Sequence, residues 1–481
     1  MSRPQRQSRF EQGDELVVMK FGGTSVEDAA AIARLIGIVE SRSDFQRVIV
    51  VSALARVTDQ LLDAAREAAR GHLGAALAAV RDIYVRHENL ADELLDRSRH
   101  PELDQVLHSE FRDLESLLVS LERSRQPDQQ TQDRLLGCGE CLSSHLVRAA
   151  LVDAGIVAEH VDARACILTD DHHGQAQPLW DATQARIQEN LGPLLEDGKV
   201  PVLGGFIAST ADGIPTTLGR GGSDFSATIL GAALGAARIE IWSDVDGIMT
   251  TDPKVCADAR VIRKMSFEEA AEMAHFGAKV LHPSTLVPAM RENIPVYVLN
   301  SRRPEGRGTE IVAKARTGNA VSAITAKRRV AAVEIESRQA VNSESLQNIY
   351  SVFARHSCPV DLMTTSLDRI SLLVGSTEPL PAIAADLKSV AGMHWENHKA
   401  LVCLVGENIR RQPEVASRVF AAVADLNVRV ACQGASDRTI SFLVEESKAE
   451  ESVQRLHELF FPCPEPRRDW GGLSSAYCQA G

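Results

Sequence analysis

The chain predicts an α/β protein: a parallel sheet covered on both faces by helices, followed by two smaller units of βαββα pattern. Three observations carry this reading. Apolar runs such as Leu16-Val17-Val18-Met19 and Val48-Ile49-Val50-Val51 are continuous rather than alternating, which is the signature of strands buried on both faces. Segments rich in alanine and leucine at helical spacing separate those runs. Past residue 329 the strand–helix rhythm shortens and then repeats with a period of about 70 residues.

Taken in order, residues 1–14 are polar and read as a disordered tail. A strand over 16–20, a glycine turn, a helix over 27–40 and a second strand over 47–52 follow. Residues 59–125, with Leu114, Leu117, Leu118 and Leu121 on one helical face, form a helical excursion from the sheet. Strands resume near 157–161 and over 200–203, 238–242 and 296–299, with helices at 267–275 and 285–291 among those between them. The polar, turn-rich 302–308 closes a first domain at 15–312, and 313–328 reads as a linker. The first repeat, 329–398, holds a strand over 330–335, a helix over 345–356, strands over 360–365 and 370–374, and a helix over 380–390. The second, 399–462, holds a strand over 400–405, a helix over 413–425, strands over 429–433 and 439–444, and a helix over 449–459. Such units leave sheet edges free to pair, so a homodimer or higher homo-oligomer is expected. Residues 463–481 read as a second disordered tail.

The bulk numbers narrow the function. A chain of 481 residues supplies two or three domains, each able to bury its own core. A net charge of -13 argues against nucleic acid or an anionic membrane as a partner, since both call for basic patches. No run approaches the ~20 apolar residues that span a bilayer, and the polar start carries no signal core. Nine scattered cysteines suit free thiols in a reducing compartment, so the expected location is the cytoplasm.

Two turns carry the chemistry. Lys20-Phe21-Gly22-Gly23-Thr24-Ser25 breaks an apolar strand into glycines and hydroxyls beside a lysine. Glycines let backbone N–H groups approach an anion, hydroxyls add donors, and the lysine adds a full charge. Leu218-Gly219-Arg220-Gly221-Gly222-Ser223-Asp224 repeats this logic before the helix-like run 225–233. Two such turns fit one phosphate donor gripped from two sides.

With these residues the chain resembles the aspartate kinases (aspartokinases), most closely the monofunctional kind with two C-terminal ACT regulatory domains; no second dinucleotide-binding module follows residue 460. The resemblance covers about residues 16–460. It rests on the two glycine turns, Gly139-Glu140, Gly205-Phe206, Trp242-Ser243-Asp244-Val245-Asp246-Gly247, Thr251-Asp252-Pro253, and Phe276-Gly277-Ala278-Lys279-Val280-Leu281-His282-Pro283. It implies the amino-acid-kinase fold, a three-layer α/β/α sandwich, and phosphorylation of the L-aspartate side chain by ATP with Mg²⁺. The product, 4-phospho-L-aspartate, opens the lysine, threonine and methionine pathway. It further implies Lys20 on the transferring phosphate, Asp224 organising it, Arg220 on the substrate α-carboxylate and Glu140 on its ammonium group. Ser52 and Thr58 line the aspartate pocket, Gly221, Gly222 and Ser223 complete the second turn, and Phe21, Gly22, Gly23 and Ser25 complete the first. Ser243, Asp244, Met249, Lys254, Lys279 and Val280 map to nucleotide contacts. The chemistry is consistent with the residues themselves. A side-chain carboxylate is already ionised at neutral pH and needs no general base, so catalysis reduces to positioning and charge neutralisation.

Two positions depart from the family's pattern. Met249 stands where tyrosine is usual, and Lys254 keeps the charge but loses the fork of the more frequent arginine. An amino-acid effector is expected at the first ACT unit, through Asn342, Glu344, Val360, Asp361, Thr365 and Ser366. In lysine-sensitive relatives an acid stands where Leu367 is found here, so the effector's identity stays open. Other signals are weaker. Cys138-Gly139-Glu140-Cys141 lacks the second pair that zinc requires, Asp170-Asp171-His172-His173 reads as a surface loop, and Asp244-Val245-Asp246-Gly247 fails as a calcium loop; no metal site is expected. The alternatives are another amino-acid kinase, such as glutamate 5-kinase, or a non-catalytic ACT amino-acid sensor.

Overall fold

The computed structural model describes residues 15–126, 128–278, 281–315, 319–337, 340–433 and 436–462. Both tails read as disordered, and Lys279 and Val280, lie outside the described residues. Two compact units are present, one drawn from 15–248, 261–275 and 281–315, the other from 249–260, 276–278 and 319–462.

The strands of the first unit are β1 (Leu16–Phe21), β2 (Gln46–Val51), β3 (Ala158–His160), β4 (Leu168–Thr169), β5 (Val200–Gly204), β6 (Ile207–Thr210), β7 (Pro215–Thr217), β8 (Arg238–Ser243), β9 (Lys264–Ser266), β10 (Val296–Asn300) and β11 (Thr309–Val312). Eight of them form the main sheet in the order β3-β5-β2-β1-β8-β10-β11-β9. From β3 to β10 all pairings are parallel, and β11 turns back antiparallel. β4, β6 and β7 make a small separate sheet. Every residue of β1 is buried, as its uninterrupted apolar run demands of a strand central to a covered sheet. The crossovers are helical because a parallel partner cannot be reached by a tight turn. Asp28 starts the first of these helices, Ala29–Glu40, by accepting from Ala31 N at 2.7 Å.

The helical excursion is three long helices, Val57–Arg70, Leu73–Leu94 and Pro101–Ser124, leading into Gln129–Asp153. This last helix is long and apolar enough by composition to cross a bilayer, a stretch the residue-by-residue count passes over. Yet 78% of its apolar window is buried inside the protein, as in the core helix of a compact unit. It carries the polar residues Asp133 and Glu140 into that interior, at 2% and 4% exposure.

In the second unit the strands are β12 (Ala323–Ser337), β13 (Val360–Thr365), β14 (Arg369–Val374), β15 (Ala391–Val405), β16 (Val430–Gln433) and β17 (Thr439–Glu445). They form one six-stranded sheet in the order β13-β14-β12-β15-β17-β16. The two repeats therefore share a sheet, spliced by two 15-residue strands that pair antiparallel. Each long strand bends at one left-handed residue, Arg329 at φ 56° and His398 at φ 58°. This corrects the linker reading, because 323–328 is the first half of β12. The boundary expected at 398/399 likewise falls inside β15. The segment 249–260 folds with this unit. Thr250 accepts from Ile324 N at 2.7 Å and its Oγ1 lies 3.0 Å from His457 Nε2, Cys256 joins the apolar core with Leu456 and Phe461, and Gln454 Nε2 donates to Val255 O at 3.0 Å.

Candidate active site

Parallel strands bring their C-terminal ends to one edge, and the site is built there. Lys20 sits beside Val50 and Ile241 in register, and Phe21 beside Val51 and Trp242. Past the strand ends the backbone is laced together: Gly22 N donates to Trp242 O at 2.9 Å, Ser52 N to Phe21 O at 3.0 Å, and Gly205 N to Val51 O at 2.8 Å. At Gly205 a Cβ would lie 2.7 Å from Ser223 Cα, so only glycine lets the second turn close onto the strand ends. Gly221, at φ 72°, gives the left-handed step that starts the helix Gly222–Leu234. The N-terminus of that helix and Asp224 in its first turn thereby reach the first turn.

There Lys20 Nζ lies 2.6 Å from Asp224 Oδ1, with only 11% and 13% of the two side chains exposed. The approach is not aligned as a hydrogen bond, and Asp224 Oδ1 has no such partner among the described residues. Glu140 Oε2 is also buried without a donor. Burial pushes the Glu140 carboxyl up to about 8, against the opposing pull of the Ala53 and Glu140 N–H groups and of the Lys20 charge. Ser52 is half-buried at the end of β2, its carbonyl accepting from Ser143 Oγ at 2.9 Å. Thr58 lies in the first turn of Val57–Arg70, after Arg56 in a left-handed backbone at φ 72°. Arg220 is exposed, its guanidinium available to an anion.

Several predicted contacts change meaning. Phe21 is fully buried and stacked on Trp242, with ring centroids 6.2 Å apart, so only its backbone faces the turn. Ser25 is 1% exposed, and its hydroxyl lies 2.8 Å from Ser301 Oγ. It ties the turn to the segment after β10 instead of offering a donor to phosphate. Ser243 and Asp244 end β8 at the same edge, whereas Met249 and Lys254 fold with the second unit. Asp246 is held by Asn300 Nδ2 at 2.7 Å and Arg303 at 2.5 Å, which accounts for an acid that otherwise looks like a metal ligand. Among the described residues no group of three His, Cys, Asp or Glu side chains is placed to hold a metal.

Other residues escaped the sequence reading. Asp133 is buried on the helix Gln129–Asp153, accepting from Thr217 Oγ1 at 2.5 Å and Gly174 N at 3.0 Å, with His173 Nδ1 at 2.8 Å. It fixes the strand that leads into the second glycine turn from a position 84 residues away, and no local pattern marks it. Ser143, one turn after Glu140, was readable only as a small polar residue on an apolar helix.

Cys138 and Cys141, which flank Glu140, are buried, and burial raises both thiols. Thiols held protonated are poor nucleophiles, which argues against a redox role. On the same helix His145 stacks on His160 at 3.5 Å between centroids. Burial lowers them to about 4 and about 3, and lowers the fully buried His87 to about 4. These three stay neutral in the fold but take up protons near pH 6.5 once unfolded. The unfolded chain therefore binds more protons between about pH 6.5 and 4, and stability falls as pH falls through that window, by up to about 1.4 kcal/mol per pH unit for each histidine. Urea unfolding at pH 7.5 and 5.5 should show the loss, and His160→Gln should reduce it.

A glycine-cradled lysine paired to an acid at the mouth of a parallel sheet, with a helix N-terminus facing it, is an arrangement that can hold an anionic phosphate group. Residues 15–300 match the amino acid kinase family, and residues 402–460 match the ACT domain. Lysine-sensitive aspartokinase 3 of Escherichia coli (strain K12) is 36% identical over 458 residues, covering 93% of this chain and 99% of the relative. Aspartokinase 1, chloroplastic, of Arabidopsis thaliana is 33% identical over 467 residues, covering 92% of this chain and 80% of the relative. The crystal structure of E. coli aspartokinase III in complex with aspartate and ADP (R-state) superposes with a TM-score of 0.82 at 35% identity, over 93% of this chain and 100% of that one. The same enzyme in complex with lysine and aspartate (T-state) gives 0.76. The chain belongs to the aspartokinase family.

Proposed function

We propose that this aspartokinase transfers the γ-phosphoryl group of ATP to the side-chain carboxylate of L-aspartate through the residues assembled above. The observation that carries the reading is Glu140, a carboxyl group 4% exposed with one oxygen that has no donor among the described residues. Burying such a group is costly unless a cation completes it, and a substrate ammonium does so. Arg220 takes the α-carboxylate with its planar fork. Ser52 and Thr58 line the pocket between them, with Gly221, Gly222 and Ser223 closing it from the second turn.

The substrate carboxylate then attacks the γ-phosphorus. A bond forms between its oxygen and phosphorus, the bond to the β,γ-bridging oxygen breaks, and that electron pair leaves on ADP. No proton moves at the nucleophile, so the enzyme's task is to hold two anions together. Lys20 neutralises charge on the transferring group, and Asp224 holds Lys20 in place. The backbone of Gly23 and the N-terminus of Gly222–Leu234 add oriented N–H groups, while Gly22 gives its own N–H to Trp242 O. Mg²⁺ enters with ATP as part of that substrate. Ser243 and Asp244, at the end of β8 on the same edge, contribute nucleotide contacts.

We assign the enzyme to the cytoplasm and to the start of lysine, threonine and methionine synthesis, as a homodimer through the free edges β13 and β16. A coupled assay of ADP release tests the function: aspartate should support turnover and glutamate should not. Turnover with glutamate alone would favour the glutamate 5-kinase reading, and no turnover with either would favour the sensor.

A further inference from the structure

Of the expected effector residues, Asp361 carries the only carboxylate besides Glu344, and Glu344 is exposed in the first turn of the helix Ser343–Arg355. Asn342 is already used. Its side chain accepts from Ser345 N at 2.9 Å as the cap of that helix. Thr365 and Ser366 are exposed near the end of β13, and Leu367 is 77% exposed. Of the two carboxylates, Asp361 is the one the fold buries and holds in place, so it is the stronger counter-charge for a basic ligand.

Asp361 is not free. Lys327 Nζ donates to both of its oxygens at 2.7 Å, with 9% of the Asp361 side chain and 28% of the Lys327 side chain exposed. Two irregularities of the sheet bring them together: the register of β12 shifts just after Lys327, and that of β13 shifts between Val360 and Leu362. Gly375 lies beneath the pair, where a Cβ would come within 3.6 Å of Lys327 Nζ and 3.8 Å of Asp361 Oδ2. The ammonium group is held on the carboxylate by the fold, from 34 residues away in sequence.

We infer that Lys327 is a built-in occupant of the effector site, so that this aspartokinase does not respond to free lysine as a lysine-sensitive relative does. The inference rests on the effector site implied by the family. An external ammonium group must displace one tethered at an effective concentration of about 1 mM or more. With the pair intact, Asp361 is covered by an ammonium group with one N–H to spare, and exposed Glu344 is left as the other carboxylate of the expected set. The site at Asp361 thus disfavours basic amino acids and suits a ligand that offers a carboxylate or hydroxyl.

The test is a lysine titration of the full-length enzyme, read both as initial rate and as calorimetric binding. Wild type should show neither inhibition nor binding at about 1 mM lysine. Lys327→Gln, which keeps a hydrogen bond to Asp361 while freeing its charge, should lower the half-inhibiting lysine concentration at least about tenfold. Adding Asp361→Asn to Lys327→Gln should erase that gain. Sub-millimolar lysine binding by wild type overturns the inference without recourse to any variant, and so does a Lys327→Gln protein with native circular dichroism whose lysine response is unchanged. Absence of kinase activity before lysine is added would count against the functional reading instead, and the calorimetric arm would still decide the role of Lys327.

Discussion

Lys20→Ala is expected to lower kcat by about 10²–10³, the usual effect of removing one electrostatic stabiliser of a transition state. Lys20 is the one residue of the first turn whose full charge is buried against the second, 2.6 Å from Asp224. Its removal takes the buried side-chain cation away from the transferring group and frees Asp224 to repel it. KM values should change less than kcat, because the interaction strengthens as charge moves between the two phosphates. Lys20→Arg separates charge from geometry. It keeps the ion pair and the melting temperature, but its planar fork does not reproduce a compact ammonium group, so turnover should stay low. Wild-type turnover in a folded Lys20→Ala protein would remove the first glycine turn from the active site.

The second large effect concerns Glu140. Glu140→Gln should raise KM for aspartate about 10²-fold, since truncating one partner of a buried charge pair costs roughly 3 kcal/mol. kcat should move less, because the ammonium group lies away from the reacting carboxylate. The pH dependence gives a sharper signature. With its carboxyl raised to about 8 in the free enzyme, Glu140 holds a proton at neutral pH and cannot pair with an ammonium group until that proton leaves. kcat/KM for aspartate should therefore rise with pH, about tenfold per unit below 8, and level off above it. In Glu140→Gln this limb should disappear. Steady-state kinetics from pH 6 to 9 would check both, and an unaltered limb in the variant would assign the titration to another group.

Much of this was legible in the sequence because the responsible features are local. Continuous apolar runs marked the buried parallel strands, and glycines beside Lys20 and Arg220 marked the turns at their ends. The hidden parts depend on distant partners. Ser25 reads as a phosphate donor until Ser301, 276 residues on, is seen to engage its hydroxyl. Asn342 looks like a ligand contact but spends its side chain on a helix cap. The start of β12, Ala323-Ile324-Thr325-Ala326-Lys327, pairs with Leu401–Val405 of the second repeat, a partner too distant in sequence to show in any local pattern, so it reads as linker. Asp133 and the Lys327–Asp361 pair are invisible to any window along the chain, since only the fold supplies their partners.

The central claim is that a carboxylate oxygen of aspartate becomes bonded to phosphorus. Hydroxylamine captures an acyl phosphate as a hydroxamate, releasing phosphate, and does not react in this way with aspartate or ADP. Purified enzyme incubated with aspartate, MgATP and hydroxylamine should form aspartyl hydroxamate in step with ADP, and Lys20→Ala should form both slowly and in the same ratio. ADP released with no hydroxamate would mean that water, not the aspartate carboxylate, receives the phosphoryl group, and would contradict the account.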